Sequence, residues 1–365
     1  MFLKALLPWL LLWGGGSCAW TISPGAEIFD EVGSRVRVKG ISWFGFETPD
    51  GTVDGLWAHP MSWYLDLLAS EAFNVIRVPF CAQWVLQEEG RWPSGGMVGA
   101  DWTLQGKTSF EVLDALFEES ARRNVSLMLD LHRLNNQYIS ELWYDPNNGA
   151  FTSDKYFEAW FKVLDRYQDR PNLVAVDILN EPHGRATWGS GDPSTDWQRF
   201  ASFALEKFDE RYPASRWLYL VEGVNWGGDL QGARDHPLEI PPNLEGRVAY
   251  SLHTYGRSVV PSINSGDVAG LRNHWQNAAF FLKDRGQAVI VGEWGGQTYL
   301  DADWMNHLAD FLIEKDCRDN FFWSLGPNSG DVAGYLLDNW TDVDNFKREV
   351  CRRVQPDPYP RPHAA

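Results

Sequence analysis

Positive charge is scarce in this sequence. Its 365 residues include 32 Lys and Arg against 49 Asp and Glu, which gives a formal net charge of −17 at pH 7. No basic patch or lysine-rich arm is present, and this argues against nucleic acid and anionic membranes as partners. An acidic surface is compatible with an exported, soluble enzyme that acts on a neutral polymer.

Long hydrophobic runs are confined to residues 1–19. There, Lys4 precedes the apolar block 5–13, and the segment ends in the small residues Ser17, Cys18 and Ala19. The block is too short to cross a bilayer and is typical of a secretory signal peptide that is cleaved before Trp20. No lipid-anchor pattern is present. We therefore expect a secreted, extracellular protein that is monomeric and has no membrane partner.

Three other features are missing. No Pro/Gly/Ser linker divides the chain, which favours one catalytic domain over residues 20–355 and a Pro-rich tail over 356–365. No glycine-rich phosphate loop follows the first strand, as the alternative fold, a doubly wound open sheet, would require. No serine lies in a Gly-x-Ser-x-Gly turn, and the histidines lack the spacing of a zinc site. We therefore expect neither a metal nor a cofactor.

The sequence is instead rich in short apolar runs that alternate with amphipathic stretches. Eight predicted strands cover residues 35–43, 73–79, 125–132, 173–181, 216–222, 247–255, 287–294 and 320–325. Predicted helices follow Thr108 and cover 153–168, 195–211, 267–285, 301–316 and 342–354. This alternation predicts an α/β fold, a single (β/α)8 barrel whose active site lies where the strands end.

Local signals refine this prediction. Residues 21–36 resemble a small hairpin that turns at 30–33 and closes the floor of the barrel. Thr108 with Glu111, and Thr195 with Gln198, have the spacing of a capping box at a helix start. Gly286 follows the 267–285 helix, where a left-handed cap is expected.

Cysteine is rare, with four in the chain. Loss of Cys18 with the signal leaves an odd number. In an alternating barrel Cys317 and Cys351 would both lie near the N-terminal, non-catalytic face, so we predict that they form a disulfide and that Cys81 stays a buried thiol. Asn124 and Asn339 each begin an Asn-x-Ser/Thr triplet and are candidates for N-glycosylation in a eukaryotic host.

Two of the predicted strands end in a glutamate. The run 173–179 leads to Asn180 and Glu181, and the run 287–292 leads to Glu293 and Trp294. Burial beside an apolar strand end favours the neutral form of a carboxyl group and suits a general acid, while a nearby arginine would keep a nucleophile ionised. A pair of carboxylates that flanks one bond is the machinery of glycoside hydrolysis.

Other strands also deliver polar or aromatic side chains to the same mouth, and any one of them alone could be structural. Their shared placement favours a site. The candidates for substrate binding are Trp43, Arg77, His132, Asn180, His253, Tyr255 and Trp323.

This set of motifs resembles glycoside hydrolase family 5. The resemblance rests on Asn180-Glu-Pro, His253-x-Tyr, Gly292-Glu-Trp-Gly and Trp323-Ser, together with Arg77-Val-Pro and Leu131-His-Arg. It implies a retaining mechanism in which Glu181 is the acid/base and Glu293 the nucleophile. By the same resemblance Arg77 orients Glu293, Asn180 holds the sugar 2-hydroxyl, and Trp323 carries the sugar at the cleavage site.

The segment 185–197, together with Leu142-Trp-Tyr, resembles the endo-β-1,4-glucanase branch of the family. The expected substrate is therefore a β-glucan polysaccharide or oligosaccharide. Mannan, glucomannan, xyloglucan and β-1,3-glucan remain alternatives, as does a non-catalytic carbohydrate-binding protein. Flat aromatic rings are good platforms for sugars. For each candidate platform a packing role is equally well supported, and the candidates are Trp43, Trp57, Trp143, Trp188 and Trp226.

Overall fold

The structure is a computed structural model that describes residues 19–87, 91–363 and 365. Its centre is a closed barrel of eight parallel strands, which follow one another around the ring in chain order. Each barrel strand pairs with the strand that follows it in the chain, and the last barrel strand closes the ring by pairing with the first. The predicted (β/α)8 barrel is confirmed. The predicted signal peptide lies, except for Ala19, outside the described residues.

The barrel strands are short and almost completely buried, as parallel strands covered on both faces must be. A two-stranded sheet, β1 Thr21–Ile22 and β2 Ile28–Phe29, precedes them. The barrel strands are β3 Lys39–Ser42, β4 Val75–Cys81, β5 Ser126–Arg133, β6 Leu173–Asp177, β7 Leu218–Glu222, β8 Val248–Tyr255, β9 Val289–Gly295 and β10 Asn320–Phe322.

Helices surround the barrel. They are α1 Met61–Ser70, α2 Ala82–Val85, α3 Ser109–Arg122, α4 Ser153–Tyr167, α5 Trp197–Arg211, α6 Val268–Trp275, α7 Phe281–Asp284, α8 Thr298–Glu314 and α9 Asn345–Val354. A π-helical turn, Gln276–Phe280, joins α6 to α7. Between β7 and β8 the chain forms two short 3₁₀ turns, Gln231–Arg234 and Pro242–Leu244. The sequence patterns did not predict α1.

The capping predictions had different outcomes. Thr108 and Glu111 form the complete capping box at the start of α3. At α5 the cap is Asp196, whose carboxylate accepts a hydrogen bond from the N–H of Arg199. The predicted box from Thr195 is therefore wrong by one residue, because the ionised carboxylate next to Thr195 is the stronger acceptor for these N–H groups.

The N-terminal sheet lies against the bottom of the barrel. The hairpin of β1 and β2 turns at residues 23–27, and a second turn follows at the predicted position 30–33, where Phe29 bridges Arg35. Trp20 and Ile28 are buried in one cluster with inward-facing strand residues such as Val75 and Met128. The predicted floor is therefore present, with one more turn than expected.

The predicted disulfide is not formed, since Cys81, Cys317 and Cys351 are all free and buried. The Cys317 thiol donates to the carbonyl of Val289, 3.0 Å away. Burial raises the pKa of the Cys317 and Cys351 thiols to about 12. The sequence argument failed because it placed both residues at one end of the barrel but could not place their sulfur atoms at bonding distance.

The Pro-rich tail packs across the base of the barrel. Tyr359 forms an antiparallel bridge with Arg37, and the side chain of Asn124 donates to the carbonyl of Arg361 at 2.9 Å. Asn124 and Asn339 are both exposed, and their glycosylation stays a prediction. No helix within the described ranges is both long and apolar enough to traverse a bilayer.

Candidate active site

The two glutamates meet at the carboxyl-terminal mouth of the barrel. Glu181 follows β6, Glu293 lies within β9, and both side chains are largely buried. A carboxylate oxygen of Glu181 lies within 4.8 Å of one of Glu293, and a ring nitrogen of His253 lies within the same distance of both. The predicted pairing of two strand-end acids is therefore present in the fold.

The backbone at Glu181 has an unusual conformation. Its φ of 51° lies in the left-handed region, which costs a non-glycine residue free energy and occurs mainly where the surroundings impose it. Here the N–H of Glu181 donates to Glu222 Oε2 at 2.7 Å, and its carbonyl accepts a hydrogen bond from Nδ1 of His183 at 2.7 Å. These contacts fix the direction in which the Glu181 carboxyl group points.

Arg77 is completely buried beneath the mouth and organises the surroundings of Glu293. Its Nη1 forms an ion pair with Glu293 Oε1, and its Nη2 donates to Asn180 Oδ1 at 2.8 Å. The same Nη2 lies 3.1 Å from Asp130 Oδ2 and 3.1 Å from Asp177 Oδ2. One guanidinium thus reduces the repulsion within a group of buried carboxyl groups, while burial raises the pKa of Asp130 and Asp177 well above its usual range and favours their neutral forms.

His253 lies between the carboxyl groups of Glu181 and Glu293. Its Nδ1 lies 3.1 Å from Glu181 Oε1 and 3.5 Å from Glu293 Oε2. Burial lowers the pKa of this imidazole, but Glu222, Glu293 and Glu181 outweigh burial and raise it well above its usual range. These carboxyl groups therefore favour the cationic form of His253.

The two glutamates are held in different protonation states. Burial raises the pKa of Glu181 to about 7, the hydrogen bond from His253 opposes this, and the nearby Glu293 adds to it. Burial acts on Glu293 in the same direction, but His253 and Arg77 together hold the pKa of its carboxyl below the ordinary 4.5. Near neutral pH a substantial fraction of Glu181 carries a proton while Glu293 is ionised.

The remaining predicted polar residues support this pair. The hydroxyl of Tyr255 donates to Glu293 Oε2 at 2.5 Å, and this hydrogen bond restrains the position of that oxygen. His132 binds Asp130 Oδ2 through Nδ1 at 2.6 Å, and its Nε2 lies 3.4 Å from Asn180 Nδ2. The structure therefore brings together Arg77, His132, Asn180, Glu181, His253, Tyr255 and Glu293 at one mouth.

Trp323 supplies an aromatic surface beside the pair. Its half-buried indole is nearly parallel to the rings of Phe44 and His132, with centroids at 5.5 and 5.3 Å. Its Nε1 donates to Ser329 Oγ at 3.0 Å, which fixes the plane of the ring. This is the arrangement expected of a sugar platform.

Trp43, by contrast, is not open to a ligand. It is 1% exposed, packs against Tyr64 and donates from Nε1 to the carbonyl of Asp54 at 2.8 Å. Trp143 is 2% exposed and stacks on Phe200 with ring centroids 4.3 Å apart. Both predicted platforms are corrected to core residues. Neither position could be separated from the core by sequence, because a tryptophan satisfies either role.

Three other candidate tryptophans keep exposed surface. Trp57 meets Trp340 edge to face at the outer rim, and Trp188 is half-buried with its Nε1 bonded to the His236 carbonyl. Trp226 is 49% exposed and stacks on His183 at 3.5 Å. Since His183 contacts the carbonyl of Glu181, Trp226 lies on the Glu181 side of the site.

Sequence reasoning missed three buried carboxylates, Asp130, Asp177 and Glu222. Two signals were available for them. Asp130 precedes His132 by two residues in β5, so both side chains point to the same face of the strand. Glu222 ends the apolar run of β7 in the same way that Glu181 and Glu293 end theirs. The predicted strand 216–222, which forms β7, was nevertheless the one to which no site residue was assigned.

The same side chains could in principle hold a metal ion. Among the described residues, one group is Glu181, His253 and Glu293, and a second is Asp177, Glu222 and His253. Both groups need a lone pair on His253, so a metal ion would have to displace the proton that the neighbouring carboxyl groups favour on this ring. The cationic His253 and Arg77 already supply the positive charge, so the arrangement suits proton transfer and nucleophilic attack.

Comparisons with known proteins point the same way. A sequence model of the family described as cellulase (glycosyl hydrolase family 5) matches residues 30–329. An endoglucanase of Paenibacillus polymyxa is 33% identical over 349 residues, which is 90% of this chain and 85% of that protein. The major extracellular endoglucanase of Xanthomonas campestris is 32% identical over 96% of this chain and 74% of its own length.

Solved structures agree with these relatives. The catalytic domain of the major endoglucanase from Xanthomonas campestris has a TM-score of 0.85 at 31% identity, over 92% of this chain and all of that chain (100%). An endocellulase variant from Pyrococcus horikoshii in complex with cellotetraose has a TM-score of 0.84 at 28% identity, and the match covers 93% of this chain and 98% of that chain.

Proposed function

The chain belongs to glycosyl hydrolase family 5 and is a glycoside hydrolase of the endoglucanase type, and we propose that it cleaves β-1,4-glucan chains internally with retention of anomeric configuration. The observation that carries this proposal is the distance between the two carboxyl groups. Retaining enzymes hold their carboxylates about 5–5.5 Å apart, whereas inverting enzymes leave about 6.5–9.5 Å for a water molecule. Oxygens of Glu181 and Glu293 within 4.8 Å of each other favour the retaining class.

In the first step Glu293 Oε2 or Oε1 attacks the anomeric carbon, and the bond to the glycosidic oxygen breaks. The proton of Glu181 passes to that oxygen, so the departing chain leaves as an alcohol. Arg77 and Tyr255 each bind one oxygen of Glu293, and these contacts keep the nucleophile ionised and oriented. This step produces a covalent glycosyl-enzyme and leaves Glu181 ionised.

In the second step Glu181 takes a proton from a water molecule, and the resulting hydroxide equivalent attacks the anomeric carbon. The bond to Glu293 breaks, and the sugar is released with the configuration that it had in the polymer. Glu181 is protonated again and Glu293 is ionised again, so the site returns to its starting state.

Substrate contacts follow from the same geometry. Trp323 beside Glu293 would carry the sugar that is attacked, and Asn180 would hold its 2-hydroxyl. Trp226, on the side of Glu181, is placed to stack with the departing sugar. A neutral polymer also suits the acidic chain, since an anionic polymer would be repelled by a net charge of −17. We further propose that the protein is secreted, in keeping with the signal-like residues 1–19.

The proposal is tested by following the hydrolysis of cellotetraose by proton NMR. The β-anomer should appear first and then equilibrate with the α-anomer, and early release of the α-anomer would show inversion. Rates on the neutral polymers hydroxyethylcellulose, glucomannan and laminarin test the substrate. Hydroxyethylcellulose should lose viscosity faster than it gains reducing ends if cleavage is internal, and faster cleavage of glucomannan or laminarin would reassign the polymer.

The pH dependence of kcat/KM should have two limbs. Glu181 must be protonated in the first step, so activity should fall as pH rises through about 7. Glu293 must be ionised, so activity should fall on the acid side only when pH drops below the ordinary glutamate value of 4.5. Initial rates on cellotetraose from about pH 3 to about pH 10 measure both limbs. An activity that keeps rising at alkaline pH would contradict the assignment of Glu181 as the acid.

A further inference from the structure

Glu222, at the end of β7, takes no part in the chemistry described above, yet it touches the supports of both catalytic glutamates. Its side chain has no exposed surface. Oε2 accepts the backbone N–H of Glu181 at 2.7 Å. Oε1 lies 3.1 Å from Nε2 of His253 and 3.3 Å from Nη2 of Arg77.

The local fold is built to hold this carboxylate in place. Trp197, at the start of α5, donates from its indole nitrogen to the Glu222 carbonyl at 2.8 Å. Gly227, with φ of 69°, approaches from the turn after β7. A Cβ at Gly227 would lie 2.7 Å from Glu222 Oε2 and 2.9 Å from Cγ of His253. Glycine therefore allows the turn to cover the carboxylate and shield it from water.

The contact between Glu222 and His253 is electrostatic in nature. The two groups are 3.1 Å apart, but the Nε2–H does not point along the line of a hydrogen bond to this oxygen. A buried ion pair acts through charge even where the angle is poor, since little water screens it. Nδ1 on the other side of the ring carries the hydrogen bond to Glu181.

His253 lies among several charged groups, and each of them acts on its proton. Glu181, Glu222 and Glu293 contact it from the ends of neighbouring strands. Farther into the barrel its charge interacts with Asp130 and Asp177. Glu222 is the strongest of the influences that favour the cation, and the low pKa of Glu222 itself, held down chiefly by His253, keeps it ionised.

We propose that Glu222 is a positioning residue that keeps His253 in its cationic form and holds the backbone of Glu181, so that one charged imidazole serves both catalytic carboxylates. This inference rests on the proposed roles of Glu181 and Glu293. The strand β7, to which the sequence patterns assigned no site residue, thereby contributes a negative charge. This charge keeps the proton on a histidine that the acid and the nucleophile share.

Glu222 acts on the pKa values of Glu181 and Glu293 through His253. The ring of His253 contacts the carboxyl groups of Glu181 and Glu293 directly, at 3.1 and 3.5 Å. After burial, which raises both pKa values, His253 acts on them more strongly than Glu222 does. Neutralising Glu222 lets His253 release its proton. Glu293 then loses one of its two cationic neighbours and keeps only Arg77, so its pKa rises even though one negative charge has also been removed.

The test is Glu222→Gln, which keeps the shape and an oxygen for the Glu181 N–H while removing the charge. We expect kcat/KM on cellotetraose to fall by about 10²-fold, the lower end of what acid–base catalysis contributes. The acid limb of the pH profile should move to higher pH, because Glu293 becomes harder to ionise. The ¹⁵N resonances of the His253 ring should change from those of an imidazolium to those of a neutral imidazole at pH 7.

The matched control is Glu47→Gln. Glu47 is also buried, and it also accepts a backbone N–H, that of Gly45 at 2.7 Å. This variant should leave the pH limbs and the His253 resonances where they are in the unmodified protein. Burial raises the pKa of Glu47 to about 7, so this variant controls for replacing a buried carboxyl group with an amide. A limb that moves equally in both variants would show a general effect of that replacement and would overturn the proposal.

Two further outcomes separate this inference from the proposed function. If Glu222→Gln loses activity with an unmoved acid limb and a charged His253, Glu222 is only structural and the inference fails, while the hydrolase assignment stands. If the variant does not fold, the unmodified protein decides: a His253 ring that is neutral at pH 7 overturns the inference, and one that stays charged above pH 7 supports it. The resonances are read whether or not β-1,4-glucan is the substrate.

Discussion

Replacing Glu293 with Gln is expected to lower hydrolysis of cellotetraose by about 10⁴-fold or more, because an amide cannot form the glycosyl-enzyme. Binding should persist. Gln has the shape of Glu, and Arg77 keeps Asp130, Asp177 and Glu222 as partners when the charge at 293 is removed. A buried arginine is therefore not left uncompensated, which is the usual reason for such a variant to unfold.

Calorimetric titration with cellotetraose and initial rates on the same preparation measure the two quantities separately. Glu314→Gln, an exposed glutamate near the end of α8, is a control for the substitution itself and should leave both unchanged. Hydrolysis at the unmodified rate in Glu293→Gln would reject Glu293 as the nucleophile. Loss of binding together with activity would show that the ionised carboxylate is needed to hold the sugar.

The alternation of strands and helices could be predicted from sequence because it follows from burial. Strands covered on both faces become short apolar runs, and the helices outside them keep one apolar stripe. The barrel strands that form, such as Val248–Tyr255 and Leu218–Glu222, begin and end within a few residues of the predicted runs. The pairing of β10 with β3, which closes the barrel, depends on all the barrel strands together. It therefore cannot be predicted from any single apolar run.

The catalytic pair could be predicted for a related reason. A carboxyl group at the end of an apolar strand is unusual enough to be noticed, and parallel strands deliver their ends to one mouth. The protonation states needed more. The pKa of Glu181 depends on its burial and on the 3.1 Å contact with His253, and neither quantity can be read from spacing.

The wrong predictions share one physical cause. The type of a residue determines the chemistry of its side chain but not the direction in which that side chain points. Trp43 and Trp323 both follow barrel strands, yet one indole turns into the packing around Tyr64 and the other lies beside the mouth. Cys317 and Cys351 occupy comparable ends of the fold without their thiols meeting. Glu222 ends its strand as Glu181 and Glu293 do, but its strand-end position did not reveal its contacts with Glu181, His253 and Arg77, which are distant in sequence.

Removing the acid at 181 should separate the two chemical steps. In Glu181→Ala, hydrolysis of cellotetraose should fall by about 10³-fold, because the departing sugar is a poor leaving group that needs a proton. Cleavage of dinitrophenyl β-cellobioside should keep a fast first step, since dinitrophenolate leaves without one. A burst of dinitrophenol followed by a slow steady state is expected, because no base remains at position 181 to activate water.

Azide identifies the position of the lost base. As a small anion that needs no deprotonation, it can occupy the space left by the Glu181 side chain and attack the glycosyl-enzyme, which breaks the bond to Glu293 and forms β-cellobiosyl azide. Azide should therefore raise the steady-state rate of Glu181→Ala. Glu141→Ala, which removes a rim carboxylate paired with Arg185, should show no such gain. An α-azide product would contradict retention, and a rate indifferent to azide would assign the acid/base role to another group.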